Sequence, residues 1–341
     1  MSITDQIRRI KNAKAAIKEA IINKGVAIGD DVKLDQYAEY IDNIEVGSGG
    51  SDSEYAWPDY YELKTRPRNS VAGSNMYALF AYAYVKESES SRYKNLIEGL
   101  DTTEVTDFGY MFYYFNNGQS DCIKELDLTG YDISKATGFV YMFQYCKLDY
   151  LNISGWDFSS ISSMANPTIF NYSKIKEINM SNCNFSKVTD LYNFASRSDE
   201  LVSIDMTGCD TSNVGRFSNA FSSCPKLTTI IGELDASKST GLYGNNSNNP
   251  FDDCTSLETV YIKNIYKNTT GMTNNAKWSI SLGETKVKDE CLIYIINELP
   301  DLINDKGLTA TDKIVLTLPT TNTLTDEQKQ VARDKGWQIV N

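Results

Sequence analysis

The sequence predicts an α+β solenoid with short parallel strands, preceded by a small helical N-terminal module. The main observation is a motif of the form apolar-x-x-apolar-x-apolar, which returns several times between Leu96 and Ile262. Its copies begin at Ile123, Leu148, Ile175, Leu201, Leu227 and Leu257, at intervals of 25, 27, 26, 26 and 30 residues. Repetition at such a period is typical of a solenoid, because one copy cannot bury its apolar face without its neighbours.

The remainder of each copy repeats as well. Nine residues after the first apolar position stands a short polar residue, with Ser two positions later, at Asp132/Ser134, Asp157/Ser159, Asn184/Ser186 and Asp210/Ser212. The copy that begins at Leu227 carries the pair one position earlier, at Asp235/Ser237. A phenylalanine follows in turn, at Phe112, Phe143, Phe170, Phe194, Phe221 and Phe251, and several copies place Cys three residues later. Repetition in three separate parts of the copy makes a chance alignment of apolar residues a poor explanation.

Each part of the copy predicts a local structure. The apolar-x-x-apolar-x-apolar run predicts a short strand with alternate side chains directed inward, since side chains on a strand alternate between its faces. The Asp or Asn predicts a turn in which the side chain accepts a hydrogen bond from its own downstream backbone. The Phe predicts a large apolar side chain in the same interior. We therefore expect the copies to stack, with equivalent side chains in columns.

The motif resembles a known repeat family. The segments LDLTGYDIS (126–134) and YMFQYC (141–146) are similar to the BspA-like leucine-rich repeat of bacterial surface proteins, and residues 155–159 and 209–214 match it too. The resemblance covers about half of the chain; it departs at 191–195, which lacks the Met and the Cys, and at the insertion 244–250. It implies a leucine-rich-repeat solenoid that serves adhesion or host-surface recognition, with a host-surface glycan or protein as its partner.

Composition argues against several classes of function. The net charge of −12 disfavours a nucleic-acid partner, which would require clustered Lys and Arg. No apolar run of 18 residues is present, so no membrane insertion is predicted. The chain has no His, which rules out a Cys/His zinc site and a Cys-His nucleophile. The seven Cys follow the repeat and are predicted to be buried free thiols.

A recurrent row of aspartates is the strongest candidate for chemistry. Its members are Asp101, Asp132, Asp157, Asp210 and Asp235. Stacked carboxylates could bind Ca²⁺ or act as an acid/base pair. The same turn on every copy explains them equally well, because Asn184 occupies one of the places. We accordingly predict no catalytic residue, no metal site and no cofactor, and we expect that the protein is not an enzyme.

Residues 1–46 are predicted to form a helical anchor or oligomerisation module. The residues Ile3, Ile7, Ile10, Ile17 and Ile21 fall on the apolar seam of a heptad. Isoleucine at both seam positions favours a coiled coil of three helices, which predicts a possible homotrimer. The alternative is that this helix packs on a second predicted helix, at 33–44, in the same chain. The pattern of 1–46 resembles the short N-terminal modules of phage tail and fibre proteins, which implies attachment to other virion proteins.

The start of the sequence bears on the predicted location. Its first residues do not resemble a signal peptide. A bacterial surface protein needs an export signal, whereas a phage virion is assembled in the host cytoplasm. We therefore expect a virion fibre or appendage that displays the solenoid for host-surface binding. Two alternatives stay open: a head or tail decoration protein with no host ligand, and a bacterial surface adhesin.

The other predicted segments complete the domain organisation. Residues 47–53 form a Gly/Ser linker, 54–95 an N-terminal cap of the solenoid, 96–275 the repeats, and 276–341 a C-terminal repeat with an α/β cap. Within 276–341 we expect a helix at 290–299, a strand at 314–318, a helix with a capping box from Thr325 to Gln328, and a final strand at 337–340. In the N-terminal cap, Tyr77, Tyr82 and Tyr84 are a possible ligand surface, unless these rings fill the core.

Overall fold

The computed structural model describes residues 61–62, 76–161, 168–240, 242, 249–270, 272, 278–308 and 314–341. The predicted module at 1–46 and the linker at 47–53 lie outside the described residues. The predicted anchor residues Ile3, Ile7, Ile10, Ile17 and Ile21 therefore lie outside them too.

Parallel strands dominate the described structure. Two short strands, β1 (Tyr61–Glu62) and β2 (Ala83–Tyr84), pair in parallel. A six-stranded parallel sheet follows, with its strands side by side in chain order. Its members are β3 (Glu125–Asp127), β4 (Lys147–Asn152), β5 (Lys174–Asn179), β6 (Ser203–Asp205), β7 (Thr229–Asp235) and β8 (Thr259–Lys263). The α+β class with short parallel strands is as predicted.

The register of the sheet places the predicted apolar positions in columns. Leu126 lies opposite Leu151, Leu151 opposite Ile178, Ile178 opposite Ile204 and Ile204 opposite Ile230. All of these side chains are buried. Each strand buries one face against its own copy and leaves the other face exposed or half-buried, which explains the apolar spacing in the sequence.

The structure refines the predicted strand in one respect. Strict alternation would direct the first two apolar positions of the motif, which are three residues apart, to opposite faces. In β4 both Leu148 and Leu151 are buried. The carbonyl of Lys124 accepts hydrogen bonds from the backbone N–H groups of both Asp149 and Tyr150, at 2.6 and 3.0 Å. This shared acceptor marks a local departure from regular strand geometry, and both apolar side chains face the interior.

A ladder of consecutive turns forms the part of each copy that carries the Phe. The N–H of Phe112 donates to the carbonyl of Met142, and the N–H of Tyr114 to that of Gln144, at 2.9 Å each. The described part of the predicted N-terminal cap continues this ladder, since the N–H of Phe80 donates to the carbonyl of Met111 at 2.8 Å. The turns of successive copies are thus joined by backbone hydrogen bonds, as the strands are.

The phenylalanines form a column inside the turns, and in one copy the Phe stands one position earlier. Phe80, Phe112, Phe143 and Phe170 are each separated from the next ring centroid by 5.3 to 5.5 Å, and all are fully buried. The backbone ladder then aligns Phe170 with Ala195, because the N–H of Phe170 bonds to the carbonyl of Phe194. Phe194 thus occupies the place that Met142 has in its copy. Its ring is buried and contacts Phe170 and Phe221, at 5.3 and 6.2 Å, so the predicted apolar side chain lies in the interior, one position earlier than in the other copies.

Helices cover both edges of the six-stranded sheet. Helix α1 (Ser90–Glu98) covers β3, where Glu98 Oε1 accepts a hydrogen bond from the N–H of Asp127 at 2.6 Å. Helix α2 (Asp289–Glu298) covers β8, and Glu298 Oε2 accepts from the N–H of Asn264 at 2.7 Å. An uncovered edge strand would offer unpaired N–H groups to another chain. The last residue of each helix therefore satisfies an amide at each end of the stack.

The C-terminal region matches the predicted elements. Strands β9 (Ile280–Ser281), β10 (Val315–Thr317) and β11 (Gln338–Val340) form a parallel sheet in the order β11-β10-β9. Helix α2 ends before Pro300, and helix α3 (Asp326–Asp334) begins with the predicted capping box of Thr325 and Gln328. Among the helices of the described residues, none has the length and apolar character that crossing a bilayer requires.

Candidate functional site

The predicted aspartate row forms turns. Asp132 Oδ1 accepts a hydrogen bond from the N–H of Ser134 at 2.9 Å, and the same bond recurs at Asp157, Asn184, Asp210 and Asp235, at 2.9 to 3.1 Å. This confirms the predicted turn. The bonds from the hydroxyl and N–H of Ser212 lower the pKa of Asp210, which stabilises the ionised carboxylate. Among the described residues, no group of three or more Cys, Asp or Glu is arranged to hold a metal ion.

The seven cysteines are free and buried, as predicted. The thiols of Cys183, Cys209, Cys224 and Cys254 each lie 3.1 to 3.2 Å from a backbone carbonyl oxygen of the preceding copy. Burial raises the pKa of Cys146 and raises that of Cys224 to about 12. A thiol with a raised pKa is a poor nucleophile near neutral pH, so these two side chains serve packing.

The most distinctive feature of the surface is a continuous group of tyrosines on the turns, which we name the tyrosine surface. Its members are Tyr77, Tyr82, Tyr110, Tyr113, Tyr114, Tyr141, Tyr145 and Tyr172. Tyr77 is exposed and the others are half-buried. Every ring is within contact distance of another ring of the group, so these side chains form one surface.

Backbone conformation places most of these rings. Tyr82, Tyr110, Tyr114, Tyr141, Tyr145 and Tyr172 all have positive φ, between 54° and 60°. Bulky residues rarely adopt this left-handed conformation, which costs roughly 1–2 kcal/mol outside glycine. The turn itself does not require tyrosine, because Asn219, Ser223 and Asp253 have the same conformation in later copies. The turn conformation by itself therefore does not account for tyrosine at these six positions.

The main row of the tyrosine surface contains Tyr82, Tyr114, Tyr145 and Tyr172. Tyr82 and Tyr114 stack at 5.1 Å with an interplanar angle of 10°. Tyr114 and Tyr145 are 4.4 Å apart at 38°, and Tyr145 and Tyr172 are 5.4 Å apart at 36°. Each ring restrains the next, which reduces the rotamer freedom that a binding partner would otherwise have to restrict.

A second row lies beside the first. Tyr77, Tyr110 and Tyr141 are separated by 5.2 and 5.3 Å. Tyr113 joins the two rows through edge contacts with Tyr110 at 5.1 Å and with Tyr114 at 4.8 Å. Burial, followed by the neighbouring phenols, raises the pKa of Tyr113, and burial also raises that of Tyr145. Both hydroxyls therefore stay protonated and able to donate hydrogen bonds across the physiological range.

A groove of about 480 Å³ continues the main row beyond its last ring. We name it the end groove. Its lining residues are Tyr172, Arg197, Asp199, Ser223, Pro225, Asp253 and Thr255. The guanidinium of Arg197 lies 5.2 Å from the ring centroid of Tyr172 and donates a hydrogen bond to its hydroxyl. In the part of the chain that is described, neither Asp199 nor Asp253 forms an ion pair.

A second groove, of about 410 Å³, lies where the sheet is irregular. It is lined by 208–211 together with Glu233, Asp235 and Lys263. Glu233 accepts hydrogen bonds from the hydroxyl of Tyr294 at 2.6 Å and from Lys263 Nζ at 2.9 Å, and these bonds lower its pKa. The carboxylate is thus ionised and already bound within the protein. Glu233 is therefore not a carboxylic acid of raised pKa that could donate a proton.

The predicted ligand residues separate in the structure. Tyr77 and Tyr82 belong to the tyrosine surface, whereas Tyr84 lies in β2, where it pairs with Glu62. The other tyrosines of this surface and Arg197 were not among the predicted ligand residues. A signal for them was present, because YMFYY at 110–114 and YMFQY at 141–145 place Tyr on both sides of the column Phe. That pattern occurs in two successive copies and could have identified the centre of the surface.

Comparison with known proteins agrees with the repeat architecture. The family model described as "Mycoplasma protein of unknown function, DUF285" matches residues 74–182 and 167–281, which together are more than half of the chain. No curated protein and no solved structure matches the sequence. The match and the parallel sheet fit the BspA-like repeat to which the sequence shows a resemblance. The chain belongs to the DUF285 family.

Proposed function

We propose that this protein is an adhesin-type repeat protein that binds its ligand through the tyrosine surface. In this proposal the stacked copies are a BspA-like leucine-rich-repeat solenoid, and their turns carry the binding residues. The observation that supports it is the placement of six tyrosines in a strained backbone conformation that Asn, Ser and Asp occupy elsewhere in the same chain. Tyrosine is enriched at binding interfaces, because it combines a large contact area with few rotamers and a hydroxyl group.

The finer proposal is a virion fibre or appendage. It is supported by the resemblance of 1–46 to the N-terminal modules of phage tail and fibre proteins, and by the heptad that includes Ile3, Ile7 and Ile10. In this arrangement 1–46 attaches the chain to other virion proteins, and the repeats bind the host surface. The solution mass of the full chain, measured by light scattering, tests the predicted trimer. Three times the chain mass is expected, and the mass of a single chain would contradict the trimer.

Cell binding tests the role of the tyrosine surface. The full chain is labelled with a fluorophore, and its binding to a panel of bacterial and animal cells is measured by flow cytometry. We expect binding that falls at least tenfold, equivalent to about 1.4 kcal/mol, in the double variant Tyr114→Ala/Tyr145→Ala. The matched control is Tyr150→Ala, which removes a half-buried tyrosine from the sheet. Equal binding by the double variant and the wild type would refute this role.

A further inference from the structure

We propose that the ligand of the tyrosine surface is a polypeptide segment that runs along the main row and places a Lys or Arg side chain in the end groove. The inference rests on the proposed function, since it defines the ligand chemistry of the same surface. It is carried by two independent features: the orientation of the rings and the composition of the groove.

The faces of the rings in the main row are used within the row. Tyr114 lies between Tyr82 and Tyr145, with centroid distances of 5.1 and 4.4 Å. Tyr145 in turn lies between Tyr114 and Tyr172, and Arg197 lies over Tyr172. A sugar ring packs its C–H groups on the electron-rich face of an aromatic ring. These close ring contacts, one stacked at 10° and two tilted at 38° and 36°, therefore leave little face area for a glycan at the centre of the row.

Ring edges and phenol hydroxyls are the groups that such a row presents to a ligand. Ring edges carry partial positive charge, and the hydroxyls both donate and accept hydrogen bonds. An extended polypeptide has carbonyl oxygens and N–H groups at regular intervals along its length, and it complements these groups. Tyr and Arg, the residue types of the main row and the end groove, are enriched where proteins bind one another. The row therefore suits a polypeptide better than a glycan.

The end groove is chemically suited to a basic side chain. The carboxylates of Asp199 and Asp253 line it without an ion pair in the described structure, and Ser223 and Thr255 add hydroxyl acceptors. The guanidinium of Arg197 is bound to the Tyr172 hydroxyl. Pro225 provides an apolar contact of the kind that the methylene stem of Lys or Arg makes. Two carboxylates against one guanidinium leave the lining with a net negative charge, which attracts a cation.

The experiment uses the full chain and a library of random linear peptides displayed on yeast. We expect the enriched peptides to contain Lys or Arg and to bind the variant Asp199→Asn/Asp253→Asn at least tenfold more weakly, about 1.4 kcal/mol. Tyr145→Ala is expected to weaken the same peptides, whereas the control Tyr150→Ala leaves them unchanged. Binding should also weaken as ionic strength rises, since the groove is open to solvent. Circular dichroism of each variant establishes that it is folded; the Asn variants preserve side-chain shape.

Several results would overturn the inference. These are the recovery of no peptide, of peptides without a basic residue, or of peptides that bind the groove variant normally. A glycan array on which binding is lost in Tyr145→Ala would overturn it too, while leaving the proposed function intact. A different outcome would separate this inference from the proposed function. If groove-dependent peptides are recovered but the tyrosine variants bind cells normally, the inference holds and the proposed function fails.

Discussion

Arg197 and Tyr172 occupy the same place on successive copies, and the guanidinium of the first lies 5.2 Å from the ring centroid of the second. Both residues have positive φ, of 61° and 58°. The main row thus changes from aromatic to cationic at a single step along the stack. Because cation and ring attract each other, this step continues the row without a break and begins the end groove.

Stacking within the main row should contribute measurably to stability. Tyr114→Ala removes ring contacts with Tyr82, Tyr113 and Tyr145, at 5.1, 4.8 and 4.4 Å. We expect the free energy of unfolding to fall by about 1–3 kcal/mol, since each aromatic pair contributes roughly 0.5–1.5 kcal/mol. Urea denaturation measures the change. The control Tyr114→Phe keeps the ring and should lose clearly less; equal losses in the two variants would show that ring stacking is not the cause.

Gly232 is required by both its backbone and its surroundings. Its φ is +96°, and a Cβ at this position would lie 2.9 Å from the carbonyl carbon of Met206. We expect Gly232→Ala to destabilise the protein by more than about 2 kcal/mol, because the close atoms belong to the backbone and cannot move freely. Gly118→Ala is the control, since Gly118 has φ +75° and open space around its Cβ position. Thermal unfolding should rank the two variants in this order, and the reverse ranking would contradict the steric argument.

The exchange of Phe194 and Ala195 predicts an unusual substitution pattern. Ala195→Phe would restore the Phe of the repeat motif, yet Ala195 is fully buried, and Phe194 already lies 5.3 Å from Phe170. We expect overpacking to cost about 1–3 kcal/mol in the free energy of unfolding. Phe194→Met places the residue of the equivalent position 142, and combined with Ala195→Phe it should recover part of this loss, because the pair then matches Met142 and Phe143. Stabilisation by Ala195→Phe would show that the alignment from the backbone ladder is mistaken.

The carboxyl group of Asp252 predicts a specific pH dependence. Burial, and then the neighbouring carboxylates of Glu284 and Asp253, raise its pKa. A raised pKa means that the folded state binds the proton more tightly, so this group lowers stability as pH rises above its unfolded value of about 3.9. Asp252→Asn should therefore raise the Tm at pH 7, and the gain should disappear below pH of about 4. An equal gain at both pH values would indicate another cause.

Much of the fold could be predicted because it depends on local patterns that repeat. The apolar spacing identified the strands, and the Asp or Asn of each copy identified the turn that Ser134 and Ser212 complete. The capping box of Thr325 and Gln328 could be predicted for the same reason, since its two partners are three residues apart. In each case the interacting groups are close in sequence, or they occur at one constant interval.

Contacts between copies were harder to predict. The two hydrogen bonds that Lys124 O accepts and the exchange at Phe194 depend on which backbone atoms face one another across two copies, and the apolar pattern alone does not specify this. The same holds for most of the tyrosine surface. Tyr113 and Tyr145 are 32 residues apart, and their rings come within 6.1 Å only because adjacent copies align. Tyr84, although close to Tyr82 in sequence, lies in a strand.

The sequence by itself determined the α+β class, the parallel order of the copies and the burial of the cysteines, because an apolar face that repeats at a constant interval can be buried only by stacking. The tertiary structure alone decided which tyrosines meet, where the row ends at Arg197 and which carboxylates line the end groove. The physical reason is that left-handed backbone at one residue of each turn directs side chains outward into columns. The neighbours in such a column are set by register between copies and not by proximity along the chain.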